Sequence, residues 1–320
     1  MIYWGINALN HGSSIAVVGG AKNLTLITDQ NDRLSSSMVT EAINASHYRG
    51  PERIFWYERP WVKKFRQLYA GQYKEFWDRS VLPRRHVNDL NIRYAPITYT
   101  PHHASHAAAG YYTSPFNHCA VVVLDAIGEF ECASIWEGRH GELTKLWSKS
   151  YPNSLGLFYS AFTELLGMKP IRDEYLLQQL SEQGNRYKHS HLIESYFDNS
   201  LSDPIEARVN FHLGVPDWPF EIRESDRADI AAGVQEVFEN QVMDVMLLAK
   251  RLTKADCLVY MGGCAFNSLA NQRVVEPLFP YRWSTPNPGD AYSSLGAVLY
   301  HTKHRVILEK PLVKHLEVSV

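Results

Sequence analysis

Ile2-Tyr3-Trp4-Gly5-Ile6-Asn7-Ala8-Leu9 opens the chain as an apolar run, and Asn10-His11-Gly12-Ser13-Ser14 follows it as a polar turn. Residues 15–18 then read as a strand, Gly19-Gly20 as a tight hairpin and residues 24–28 as its return. The same grammar comes back later in the chain. Residues 119–125 read as a strand and Ala126-Ile127-Gly128-Glu129 as a turn. Residues 130–136 form a second strand, Gly138-Arg139-His140-Gly141 a hairpin and residues 143–147 a third strand.

Two copies of strand, polar turn, strand, glycine hairpin and strand imply a duplicated α/β unit whose polar turns face one cleft. This is the plan of the actin, hexokinase and Hsp70 group. It divides the chain into an N-terminal lobe over 1–115 and a C-terminal lobe over 116–320. Helical periodicity fills the later part at 155–167 and at 229–252, where Val234, Val237, Phe238, Val242, Val245 and Met246 share one side. A helical insertion at about 150–252 is therefore expected in the second lobe. Residues 257–261 read as a short buried strand ending at Gly262-Gly263, with a helix expected at 267–275. A glycine pair at a strand-to-helix turn offers its amides to an anion. A last helix is expected over 291–300.

The best candidate for chemistry is Thr100-Pro101-His102-His103-Ala104-Ser105-His106, followed by an alanine run. Thr100 suits a helix N-cap and Pro101 the first helical position. A helix there sets His102 and His106 one turn apart on one face and turns His103 elsewhere. A helix N-terminus repels a cation, so a metal held by these imidazoles needs carboxylates as well. Asp125, after Val121-Val122-Val123-Leu124, and Asp290, after Asn287-Pro288-Gly289, sit where a strand end or turn can present one. A zincin is excluded, because no glutamate follows the first histidine.

The chain has 320 residues, 45% hydrophobic, with formal net charge −2, which excludes a uniformly basic nucleic-acid binder. Its four cysteines form no CxxC pair, so reduced thiols in a cytoplasmic protein are expected, and no apolar run has the length of a membrane span. One stretch departs from this average. Residues 51–86 carry nine Lys or Arg against four acids, interleaved with nine aromatics. Cations beside aromatics suit phosphate contact and base stacking, with Lys63, Lys64, Arg84 and Arg85 as candidate phosphate ligands. The same composition also suits an amphipathic insertion that packs its aromatics inward and solvates its lysines.

With these residues in view, the chain resembles the O-carbamoyltransferases of the nodulation-protein and antibiotic-carbamoylation type. Their catalytic domain is similar to the tRNA threonylcarbamoyl-transfer protein. The resemblance runs through ordered islands: Gly5-Ile6-Asn7 with His11, Ser13 and Ser14; His102 to Phe116; Asp125 with Gly128-Glu129; Ser154 to Thr163; Gly262 to Asn267; and Pro288-Gly289-Asp290 through Ala297. It implies iron or another divalent metal on His102, His106, Asp125 and Asp290. It also implies His11 and His103 as catalytic histidines, with His11 as base or as holder of the transferred group. Gly262, Gly263, Asn267 and Ser154 would line a nucleotide pocket.

The implied reaction moves a carbamoyl group from carbamoyl-adenylate, made from carbamoyl phosphate and ATP, to an acceptor hydroxyl. Short members of the family occur in phages, where 5-hydroxymethylcytosine in DNA or RNA is an expected acceptor. A small-molecule or sugar alcohol is the alternative. Typical members continue into a carbamoyl-adenylate-forming domain, so a separate protein with that activity is an expected partner, and a homodimer is compatible with the sequence. A third reading is a non-catalytic subunit that binds nucleotide or nucleic acid within a two-component enzyme.

Overall fold

The computed structural model describes residues 1–10, 12–19, 23–92, 95–198, 203–306 and 308. The first half opens on an antiparallel meander, β1 (Ile2–Asn10), β2 (Gly12–Gly19) and β3 (Asn23–Asp29). Helix α1 (Ser36–Ala45) leads to β4 (Arg53–Trp56), then to α2 (Pro60–Tyr69), α3 (Tyr73–Trp77) and α4 (Pro83–Asp89). Strand β5 (Ile97–Tyr99) and helix α5 (His102–Thr113) close this half.

The second half repeats the pattern with β6 (His118–Gly128), β7 (Glu131–Arg139) and β8 (Glu142–Ser150). Helices α6 (Leu155–Leu165), α7 (Glu174–Ser181) and α8 (Ser190–Glu194) follow. A short ribbon, β9 (Phe197–Asp198) with β10 (Glu206–Ala207), precedes the long α9 (Glu224–Thr253). Strand β11 (Cys257–Met261), short helices α10 (Ser268–Ala270) and α11 (Glu276–Leu278), β12 (Tyr281–Trp283) and α12 (Ser293–Thr302) complete the chain.

The two main sheets have orders β3-β2-β1-β4-β5 and β8-β7-β6-β11-β12. In each, the meander is antiparallel and the last two strands add in parallel. The expected duplicated actin, hexokinase and Hsp70-like plan is present. Its core follows from strand alternation: Val121 and Val123 face one apolar cluster with α5 and α12, whereas Ala120, Val122 and Leu124 face another with α6 and α9. Each terminal helix crosses to the other half. Helix α12 packs on β1 and β2, and α5 packs on β6 and β11.

Several sequence expectations need correction. Helix α5 begins at His102, with Pro101 in the cap position. Thr100 is no cap, because its amide donates to the Trp56 carbonyl and its hydroxyl contacts His301 Nε2 at 3.1 Å. The helix expected at 267–275 is present, running from Ser268 to Leu278 with a π-turn inside it. Asn267 caps the three-residue α10, a π-turn occupies Asn271–Val275, and Pro277 lacks the amide that an α-helix would need there. The basic-aromatic stretch also starts inside the first sheet, since Arg53–Trp56 is β4. Gly20 lies outside the described residues.

Candidate metal centre

Four side chains from three elements, α5, β6 and the turn before α12, converge where α5 meets both halves. His102 Nε2 is 3.1 Å from His106 Nε2, 3.1 Å from Asp125 Oδ2 and 3.5 Å from Asp290 Oδ1. His106 Nε2 is 3.1 Å from Asp290 Oδ1 and 3.5 Å from Asp125 Oδ2. All four donor atoms lie within 4.8 Å of one another. Ligands about 2.1 Å from one ion are spaced about 3.0–3.4 Å apart, so these edges suit a single ion with two nitrogen and two oxygen donors.

Local sequence explains the placement. The β6–β7 ladder shifts register between Leu124 and Gly128, which takes Asp125 out of regular pairing. Asp125 Oδ1 then accepts from the amides of Ala126 (2.9 Å) and Gly263 (3.3 Å), leaving Oδ2 to the histidines. Asn7 Nδ2 donates to the Asp290 carbonyl at 3.1 Å and so holds the last donor from β1. Gly128 gives the imidazoles room, because a Cβ there would lie 2.2 Å from His102 Cδ2. His106 Nδ1 faces Ser293 Oγ at 3.4 Å, a contact that orients the ring.

The electrostatics fit a cation. Burial alone would lower the His106 pKa, but its contacts with Asp125 and Asp290 raise it to about 9. His102 is raised in the same way, against burial, by Asp125 and Asp290. Burial would raise Asp125, yet the two histidines hold it well below the usual carboxylate range. Two imidazoles in contact, both drawn toward the charged form, repel each other, and one metal ion in their place removes that conflict.

The remaining candidates fall into different surroundings. His103 is fully buried, with Nδ1 at 2.8 Å from Ser134 Oγ and Nε2 without a partner among the described residues. Burial and the neighbouring His102 keep it neutral. His11 lies outside the described residues. Gly262 N donates to the Pro288 carbonyl, so this amide and that of Gly263 are already engaged. Ser154 is buried and caps α6, accepting from Leu157 N and donating to the Ala126 carbonyl. Asn267 has its amide paired on both sides with Gln235.

In the basic stretch, Lys63 pairs with Glu58, and the buried Lys64 ammonium donates to the carbonyls of Glu75 and Asp78. Arg84 and Arg85 are exposed, and Arg84 donates to the Ala95 carbonyl.

Two neighbours of the centre were not read from the sequence. Tyr57, just after β4, sets its ring 5.3 Å from that of His102, and its hydroxyl is buried near Asn10. Arg59 grips Glu129, with Nε 3.0 Å from Oε2, and ties the start of α2 to the β6–β7 turn. An acid in a glycine turn opposite an arginine was the available signal, but only the fold brings the two together.

Comparison with known proteins agrees with this architecture. The chain is 32% identical over 225 residues to the uncharacterized protein sll1178 of Synechocystis sp., covering 64% of this chain and 36% of that one. It is 27% identical to the nodulation protein NolNO of Sinorhizobium fredii (63% and 31% covered) and 27% identical to the nodulation protein NolO of Bradyrhizobium diazoefficiens (62% and 37%). The chain thus spans about a third of the length of these relatives. Component A of the (R)-2-hydroxyglutaryl-CoA dehydratase of Acidaminococcus fermentans shares the fold, with TM-score 0.54 and 14% identity over 95% of this chain and 99% of that one. Full-length HypF in its phosphate- and nucleotide-bound form does so with TM-score 0.51 and 13% identity, over 94% and 55%. Residues 62–299 match the family described as Carbamoyltransferase N-terminus, and the chain belongs to that family.

Proposed function

We propose that this chain carries the acyl-transfer site of a metal-dependent O-carbamoyltransferase. The observation that carries the reading is the meeting of His102, His106, Asp125 and Asp290 at one point between the two halves. A bound divalent ion, iron or another, would supply Lewis-acid polarisation of a carbonyl there. The acceptor oxygen bonds to the carbamoyl carbon, the bond from that carbon to the phosphate oxygen of AMP breaks, and the hydroxyl proton passes to a base. His11 is the base we propose. His103, held neutral, is a weak proton acceptor and suits a hydrogen-bonding role through its buried Nε2, which has no partner among the described residues.

Carbamoyl-adenylate formed from carbamoyl phosphate and ATP is the donor in this reading, made by this protein or by a separate one. Gly262 and Gly263 would border the nucleotide through their small size, since their amides are engaged. The acceptor we favour is a hydroxymethylated base such as 5-hydroxymethylcytosine, ahead of a sugar or other small alcohol.

Mass spectrometry tests the reading. The chain is incubated with carbamoyl phosphate, ATP, ferrous iron and 5-hydroxymethylcytosine DNA, and in parallel with preformed carbamoyl-adenylate. A gain of one carbamoyl mass, lost in His102→Ala, is expected. No gain on DNA or on small alcohols with either donor would refute it.

A further inference from the structure

Helix α2 is built inside out. Lys64, Arg66 and Gln67 point inward, while Trp61, Phe65 and Tyr69 are 62%, 60% and 71% exposed. The aromatic period of four continues with Tyr73 and Trp77, 62% and 69% exposed on α3. This reverses the inward packing that an amphipathic insertion implies. The exposure is braced: Lys64 bonds the carbonyls of Glu75 and Asp78, and Arg66 Nη1 donates to Gln72 Oε1 at 2.7 Å, fixing α2 against α3. Five such rings expose on the order of 500 Å², as much as the largest apolar patch of an ordinary monomer.

Charge and position narrow what covers this face. Lys74 and Arg79 are exposed beside the outer rings, and Arg84 and Arg85 are exposed on the adjacent α4. None of the four forms an ion pair among the described residues. The middle of the row packs beside the β6–β7 turn. Tyr69 lies 6.3 Å from Phe130, next to the Glu129 that Arg59 grips, and Arg59 immediately precedes α2.

We propose that the outward face of α2 and α3 is a stacking platform for a single-stranded or locally unstacked polynucleotide, with Lys74 and Arg79 on its phosphates. This rests on the transfer reading, in that the platform delivers the acceptor to that site. Stacking rings interleaved with unpaired cations match a polyanion with flat bases. A second copy of the chain would set these cations against each other, and a neutral oligosaccharide would leave them unused.

The test is fluorescence anisotropy of a labelled oligothymidylate of roughly sixteen nucleotides across a salt series, with folding of each variant checked by circular dichroism. The wild-type chain is expected to bind, more weakly as salt rises. Trp61→Ala with Trp77→Ala should weaken binding by roughly 30-fold or more, since each stacked base contributes about 1–3 kcal/mol. Lys74→Gln with Arg79→Gln should flatten the salt slope by about 1.4. The Asp290→Ala variant should bind as well as wild type, and the double tryptophan variant should still carbamoylate a free hydroxymethylated nucleoside.

Absence of oligonucleotide binding overturns the platform, as does binding indifferent to the two tryptophans. Concentration-dependent dimerisation lost in the tryptophan variant would assign the face to a second copy and overturn it too. Because nucleoside carbamoylation is read separately, failure of the platform and failure of the transfer reading are distinguishable.

Discussion

Gly296 of α12 lies so close to Ser105 of α5 that a Cβ would sit 1.8 Å from the Ser105 carbonyl oxygen. This approach locks the two crossing helices, and it fixes α5, which carries His102 and His106, relative to the segment ending in Asp290. Gly296→Ala must push backbone against backbone. It is expected to cost about 3 kcal/mol or more and to weaken metal uptake together with stability, as measured by urea unfolding and metal titration. Wild-type stability in this variant would contradict the crossing.

In the metal-free chain, the contacts of His106 with Asp125 and Asp290 keep it protonated up to a pKa of about 9. A ligating imidazole must give up that proton. Metal binding near neutrality is therefore expected to release protons, and affinity should fall as pH drops below about 9. Calorimetry in buffers of different ionisation enthalpy measures the release, and uptake without it would show that Nε2 of His106 is not a ligand.

The Arg59–Glu129 pair is asymmetric, with Glu129 3% and Arg59 44% exposed. Removing the cation strands a buried carboxylate, whereas neutralising the acid leaves an arginine that reaches water. Arg59→Ala is expected to cost about 2 kcal/mol and Glu129→Gln about half that. Equal effects in chemical denaturation would contradict the asymmetry.

His86 on α4 is buried, and its Nε2 accepts from Leu34 N at 3.3 Å. Burial, helped by Arg33, depresses its pKa below 6.5. The sign follows: a depressed folded pKa contributes stability above 6.5 that is lost as pH falls through the folded value. Stability to denaturant should fall over that window, and His86→Gln should remove most of the slope while lowering stability slightly at neutral pH.

The sequence made both meanders legible because their strands alternate cleanly and are punctuated by glycine. Strands β4, β5 and β12 were not legible. They have four, three and three residues, and only pairing with distant strands identifies them. All four metal-donor candidates could be named from residue type and spacing, yet their convergence depends on the register shift after Leu124. The direction of the aromatic face was hidden for a different reason. Trp61, Phe65 and Tyr69 at four-residue spacing define a stripe whether it points in or out, and Lys64 decides the matter by finding two carbonyls inside.

Metal analysis of the purified chain after dialysis against ferrous iron or zinc, beside Asp125→Asn and Asp290→Asn, tests the central claim most directly. One ion per chain in the wild type, falling to a small fraction in both variants while their circular dichroism is unchanged, is the expected result. A metal-free wild type, or a stoichiometry indifferent to both aspartates, would contradict it.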